Sequence, residues 1–275
     1  MIDSHQHFWK YDPLIHNWIS DDMAAIRRDF LPEHLAVVFK ENQVEGCVAV
    51  QAEHSATEND FLLDMSFAND FVKGIVGWTD LQSPEIASDL YKLANFPKIK
   101  GVRHILQGEA QRDLMLTKSF LNGIRHLEEV GFTYDILVSA DQLQFIPEFV
   151  AHFPNQLFVL DHMGKPGIRH GEIQNWKKNI ELLARHEQVH CKVSGMLTEA
   201  DLQGWKKEDF TPYLDVVVEA FGIERVMYGS DWPVCLAAGD YRQSLDVVKS
   251  YFSTFSSNEK QLFFSENVRD FYRLG

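Results

Sequence analysis

Short runs of apolar, largely β-branched residues recur along the chain, and each is followed by a longer stretch whose apolar positions fall three and four apart. Runs of four to eight such residues read as buried strands, and the three-four spacing reads as the core-facing stripe of a helix. Eight strands are predicted: Met1–His5, Gly46–Gln51, Gly74–Trp78, Ile99–Arg103, Thr133–Val138, Leu157–His162, His190–Val193 and Arg225–Gly229. Helical stripes lie between them over Phe120–Leu127, Trp176–Leu183 and Tyr213–Ala220, and two more, Tyr241–Phe252 and Asn258–Tyr272, follow the last strand. The strand starts are spaced roughly 25 to 45 residues apart, enough for one strand and one crossover helix.

Such alternation has two stable solutions, a closed (β/α)8 barrel and an open doubly wound sheet. The open sheet normally carries a Gly-rich phosphate loop after an early strand, and neither G-x-G-x-x-G nor a Walker sequence occurs here. The prediction is therefore an α/β fold, a (β/α)8 barrel of the TIM type, with residues 1–275 forming one barrel domain. A length of 275 residues suits it, since about 250 is typical of this fold.

Composition narrows the partners. A hydrophobic fraction of 45% supports one large core, and no Pro/Gly/Ser-rich tract marks a linker. A net charge of -14 repels phosphate backbones and anionic lipid, which sets aside nucleic acid and membrane surfaces. With no basic leader followed by an apolar stretch, and no apolar run approaching about 18 residues, the expectation is a soluble cytoplasmic protein. The three cysteines Cys47, Cys191 and Cys235 form no C-x-x-C pair and read as small buried hydrophobes. Oligomeric state is not encoded in the pattern.

In a barrel of this kind the chemistry gathers at the carboxyl ends of the strands. The first predicted strand runs into His5 and His7, two apart and therefore on one face. The later strands end in Gln51, in Trp78 and Asp80, in Arg103 and His104, in Asp135, in Asp161 and His162, in Lys192 and Ser194, and in Ser230, Asp231 and Trp232. Ring closure would bring His5, His7, His162 and Asp231 together, a set that could hold a divalent ion such as zinc with a water completing the site. Asp231 would then be placed to take a proton from that water. Taken singly, each of these residues also reads as an ordinary polar loop position; Asp161, for instance, could simply hold His162 by its ring N–H. Gly164-Lys165-Pro166 and Ser230–Pro233 carry turn chemistry. Trp9, Trp78 and Trp232 read equally as core plugs or as flat walls for a sugar ring. His34, His126, His152 and His186 fall in helical stretches, as surface or packing residues.

With these residues in view, the chain resembles the amidohydrolase superfamily, in the L-fuconolactonase-like subgroup of sugar lactonases (amidohydrolase 2 type). The markers are Asp3-Ser-His-Gln-His-Phe-Trp9, Gly101-Val-Arg103, Leu160-Asp-His-Met-Gly-Lys-Pro166, Lys192-Val-Ser-Gly195 and Tyr228-Gly-Ser-Asp-Trp-Pro-Val234, spread nearly end to end. The resemblance implies a distorted barrel and places His5, His7, His162 and Asp231 on the superfamily's metal and catalytic positions. Binuclear members bridge their metals from the fourth strand and add a histidine on the fifth, where this chain has Arg103 and Asp135. That departure implies at most one metal, zinc or another divalent ion, and related lactonases that work without metal leave a metal-independent reaction equally open.

The expected activity is hydrolysis of a small-molecule sugar lactone in carbohydrate metabolism. Asp231 would serve as base, with the histidines and Arg103 facing the oxyanion. Because only Arg103 among arginines stands at a strand end, the expected substrate is a neutral aldonolactone rather than a dicarboxylate. Trp9, Gln51, Trp78, His104, Asp135, Lys165 and Trp232 are its expected contacts. The rival readings are a zinc-dependent decarboxylase on the same scaffold and a non-catalytic sugar-binding barrel.

Overall fold

The computed structural model describes residues 1–275. Its eight strands are β1 (Ile2–Gln6), β2 (Gly46–Val50), β3 (Val72–Gly77), β4 (Ile99–Ile105), β5 (Thr133–Leu137), β6 (Phe158–Leu160), β7 (Val189–Val193) and β8 (Val226–Tyr228). They form one sheet in sequence order, and every neighbouring pair is parallel. Helices connect most of them, including Lys118–Val130, Gln174–Leu183 and Lys207–Phe221 over the three predicted stripes. Tyr241–Tyr251 follows β8, and a helical run with a π turn over Leu262–Glu266 covers the last predicted stripe. No helix is long and apolar enough to cross a membrane.

Alternation along the strands sorts the residues into two layers. Cys47, Ile75, Val102, Tyr134, Leu160, Cys191 and Val193 belong to the large cluster beneath the outer helices. Ile2, Val48, Val50, Val76, Val159 and Met227 point inward and form a separate cluster with Val268, Phe271 and Tyr272 of the C-terminal helix and Leu274 just beyond it. That helix plugs the lower end of the barrel. Higher along the axis the inward positions turn polar: His5, Arg103, Asp135, Asp161 and Lys192, all buried. Burying so many charges costs free energy unless each finds a partner.

The ring closes in an irregular way. β8 is only three residues long, so β1 is met mainly by the turn beyond it. His7 N donates to the Trp232 carbonyl at 2.7 Å, Asp231 N to the His5 carbonyl at 2.9 Å, and Ser230 N to Asp3 Oδ1 at 2.9 Å. Asn267 of the C-terminal helix seals the lower gap by donating to the Ile223 and Val226 carbonyls, each at 2.7 Å.

Candidate active site

The turns that end β6 and β8 set the site. His162, Met163 and Lys165 after β6, and Asp231 after β8, all adopt positive φ, which side chains other than glycine rarely do. These two turns lift His162 and Asp231 out of the strand direction and aim them across the barrel mouth. Gly195, itself at φ +64°, leaves space for the imidazole: a Cβ there would lie 2.6 Å from His162 Nδ1.

His5 Nε2 stands 3.2 Å from His7 Nε2 and 3.9 Å from Asp231 Oδ1, and His7 Nε2 stands 3.4 Å from the same oxygen. The His162 ring packs edge-on to His5 with centroids 4.5 Å apart. The four side chains expected to converge therefore do. Burial keeps the His5 imidazole well below its ordinary pKa and lowers that of His162 to about 4, so both rings are neutral at neutral pH. Burial alone would raise the Asp231 carboxyl, but the imidazoles of His162, His5 and His7 outweigh it and hold the group below the usual carboxylate range.

Each imidazole is fixed from behind. His7 Nδ1 lies 2.8 Å from the Val50 carbonyl, and His162 Nδ1 lies 2.9 Å from Ser194 Oγ. Asp161 does not hold His162, the alternative reading of that residue: its Oδ1 faces His5 Nδ1 at 3.2 Å, and its Oδ2 accepts from Arg103 Nη1 at 3.0 Å. Arg103 also donates to the Gln51 carbonyl through Nη2, while its Nε is buried without a partner. On β7, Lys192 Nζ reaches Asp135 Oδ2 at 2.5 Å, Asp161 Oδ1 at 3.1 Å and His5 Nδ1 at 3.1 Å. Tyr272 of the C-terminal helix donates to Asp135 from below at 2.8 Å.

Donor atoms around one divalent ion at bonds of 2.0–2.1 Å stand about 3.4 Å apart in a tetrahedral site. The spacings among His5, His7 and Asp231 match that, and His162 offers a donor within 4.8 Å of His5 and Asp231. His5, His162 and Asp231 thus offer donors close enough together to hold one ion, with His7 Nε2 beside them. A second, ligand-like set, His5 with Asp135 and Asp161, already has a cation at its centre in Lys192 Nζ.

Above the cluster lies a cavity of about 400 Å³. His7, Arg103, His162 and Asp231 form its polar floor, and Trp9, Trp18, Met23, Ile105 and Val234 form apolar walls. Gln107, Thr198 and the ion pair between Lys165 and Glu199, 2.9 Å apart, add polar groups. Of the seven expected substrate contacts, Trp9 and Lys165 lie on this wall.

The other five lie elsewhere, each for a visible reason. Gln51 is tied to the β4 backbone by its Nε2 donating to the Arg103 carbonyl at 3.1 Å. Asp135 sits a layer deeper, under Lys192. Trp232 packs edge-on to Phe8 and Phe30. His104 points outward from β4, where its Nε2 meets Glu109 at 2.8 Å and its ring lies against His54, centroids 4.2 Å apart. Trp78 stacks on the far side of His54. Sequence reasoning in turn left Trp18, Met23, Gln107 and Glu199 unnamed, because they arrive on long connections without periodic pattern. Lys192 had a signal: a lysine inside an apolar strand run requires buried counter-charges.

A (β/α)8 barrel whose mouth gathers three imidazoles and a carboxylate has the architecture of a barrel enzyme with its active site at the carboxyl ends of the strands. Residues 2–274 match the Amidohydrolase family, and the chain belongs to it. It is 34% identical to an L-fucono-1,5-lactonase of Burkholderia multivorans, over 99% of this chain and 96% of that one. It is 33% identical to an L-fucono-1,5-lactonase of Burkholderia ambifaria, over 99% and 95%. Crystal structures of a Burkholderia multivorans amidohydrolase, one with bound HEPES and one with bound zinc, superpose with a TM-score of 0.95 at 34% identity, covering 100% of this chain and 99% of theirs.

Proposed function

We propose that this amidohydrolase opens a neutral sugar lactone, an aldonolactone of the L-fucono- or L-rhamnono- type, to the open-chain sugar acid. The observation that carries the reading is the Asp231 carboxylate set among His5, His7 and His162 on the floor of a sugar-sized cavity. The two Burkholderia lactonases support the substrate class.

A lactone needs a base for the attacking water, donors for the developing oxyanion and an acid for the departing alkoxide. Asp231, ionised at neutral pH, accepts a proton from water as the water oxygen bonds to the lactone carbonyl carbon. Negative charge gathers on the carbonyl oxygen, where Arg103 and the imidazoles of His7 and His162, which line the cavity, face it. The ring C–O bond then breaks and Asp231 returns the proton to the alkoxide, leaving a hydroxyl and a carboxylic acid. A divalent ion held by His5, His7, His162 and Asp231 would supply Lewis-acid polarisation of the carbonyl when bound.

The wall favours a neutral ring. Its only cations are Arg103, committed to Asp161 and Gln51, and Lys165, paired with Glu199, so no free guanidinium fork remains for a substrate carboxylate. Trp9 and Trp18 offer flat apolar surface, while Gln107, Thr198 and the Lys165–Glu199 pair offer hydroxyl partners. A panel of aldonolactones followed by a pH indicator, with and without chelator, tests the reading. Turnover of neutral aldonolactones well above that of dicarboxylate lactones is expected. Carbon dioxide release from an aromatic acid, abolished by chelator, would point to the decarboxylase reading, and a lactone bound but left closed would point to the sugar-binding one.

A further inference from the structure

The turn that follows β4 is anchored at three successive residues, each by a side chain from elsewhere in the chain. His54 Nε2, after β2, accepts from Ile105 N at 2.8 Å, and Gln142 Nε2, after β5, donates to the Leu106 carbonyl at 2.8 Å. Arg112 Nη1 donates to the Gln107 and Glu109 carbonyls at 3.0 and 2.9 Å. Arg112 is itself fixed by Asp141, Nε to Oδ2 and Nη2 to Oδ1, both at 2.8 Å, the two-point pairing that gives an ion pair a direction. Gln107 therefore stands on the cavity wall with its backbone held. Its side chain is the opposite case. On the same wall Lys165 and Glu199 hold each other, and Thr198 Oγ1 donates to the Gly195 carbonyl at 2.9 Å, whereas the Gln107 carboxamide has no partner within the protein.

We infer that Gln107 is a specificity-determining residue whose carboxamide reads two neighbouring hydroxyls of the lactone ring, and that Arg112, locked by Asp141, is the positioning residue that aims it. A carboxamide sets an accepting oxygen beside a donating NH2, and a hydroxyl can answer either. Two adjacent hydroxyls pair with it at once, one donating to Oε1 and the other accepting from Nε2. A ring without hydroxyls leaves both amide groups facing apolar surface, and a site whose polar groups are left unpaired rejects such an analogue. Arg112 touches this segment only at main-chain carbonyls, so its influence on the ring passes through Gln107.

The inference rests on the reading that the cavity takes a sugar lactone. Its test compares kcat/KM for L-fucono-1,5-lactone and for δ-valerolactone, the same six-membered ester without hydroxyls, in wild type, Gln107→Met, Arg112→Met and the double variant. Gln107→Met keeps the length of the side chain and removes the amide. It should lower kcat/KM on the hydroxylated lactone by about 10- to 30-fold, the scale of two neutral hydrogen bonds, chiefly through KM. On δ-valerolactone it should leave the rate unchanged or raise it. Arg112→Met should show a smaller loss with the same selectivity and add nothing once Gln107 is Met, which a general loosening of the barrel would not do. Equal losses on both lactones, or additive losses in the double variant, overturn the inference. Calorimetric binding of 1,5-anhydro-L-fucitol, which carries the ring hydroxyls and no ester, decides without turnover. Gln107→Met should weaken it by the same factor; equal binding by variant and wild type, or none by wild type, overturns the inference. A ring bound through Gln107 by a protein that opens no lactone supports it and counts against hydrolysis alone.

Discussion

At the scale of single residues, the site is where the backbone departs most from ordinary conformations. Of the six non-glycine residues with positive φ, four are His162, Met163, Lys165 and Asp231. Such positions cost about 1–3 kcal/mol each and persist only where the surroundings over-determine them. Ser230, held by Asp3, and Ser194, against His162, provide that support. Gly195 is the complementary case, required both by its φ of +64° and by the ring that a Cβ would strike. Gly195→Ala is expected to cost about 1–3 kcal/mol in urea unfolding and to lower kcat by displacing His162. Unchanged stability with full activity would show that the ring has room to move.

At the scale of elements, the strands were legible because each is an apolar run bounded by polar ends, and the helices because their stripes face that sheet. Legibility failed where strands stop. β6 ends at Leu160, two residues before the predicted end, because Asp161–Gly164 coils into a single tight turn that carries His162 into the mouth. Depth along the axis was also hidden: Arg103 and Asp135 are register partners on adjacent strands, yet Arg103 reaches the cavity while Lys192 and Tyr272 hold Asp135 below. The connections were the least readable. His54, after β2, accepts from Ile105 N at 2.8 Å and lies against His104, whose partner is Glu109. This clamp fixes the segment that brings Ile105, Gln107 and Gly108 to the cavity wall. His54→Ala should therefore raise KM, by about fivefold for one hydrogen bond of about 1 kcal/mol, and leave kcat nearly unchanged. Steady-state kinetics on a turned-over lactone would measure this, and a fall in kcat at constant KM would contradict the clamp.

At the scale of the whole molecule, the barrel combines an apolar lower plug with a charged upper interior, and each region holds a neutral histidine, buried in the mouth and half-buried at His190. His190, beside Phe271 with its Nδ1 unpartnered, is lowered to about 4, by burial first and by Arg225 second. The unfolded chain binds a proton at this position below about pH 6.5, whereas the folded one resists until about pH 4. Stability is thus lost as pH falls through that window, by up to about 1.4 kcal/mol per pH unit for this group. His190→Gln should lose less unfolding free energy than wild type between pH 7 and pH 5; parallel losses would mean that His190 contributes nothing to acid sensitivity. In the proposed reaction one carboxylate at the mouth, Asp231, moves the proton of the attacking water. The direct measurement is the hydrolysis rate of L-fucono-1,5-lactone by wild type and by Asp231→Asn, with folding checked by circular dichroism. Rapid wild-type opening and a kcat lowered by about 10²–10⁴-fold in a folded variant are expected. A folded Asp231→Asn enzyme keeping more than about a tenth of the wild-type kcat, far above what the loss of a general base would leave, would contradict that role.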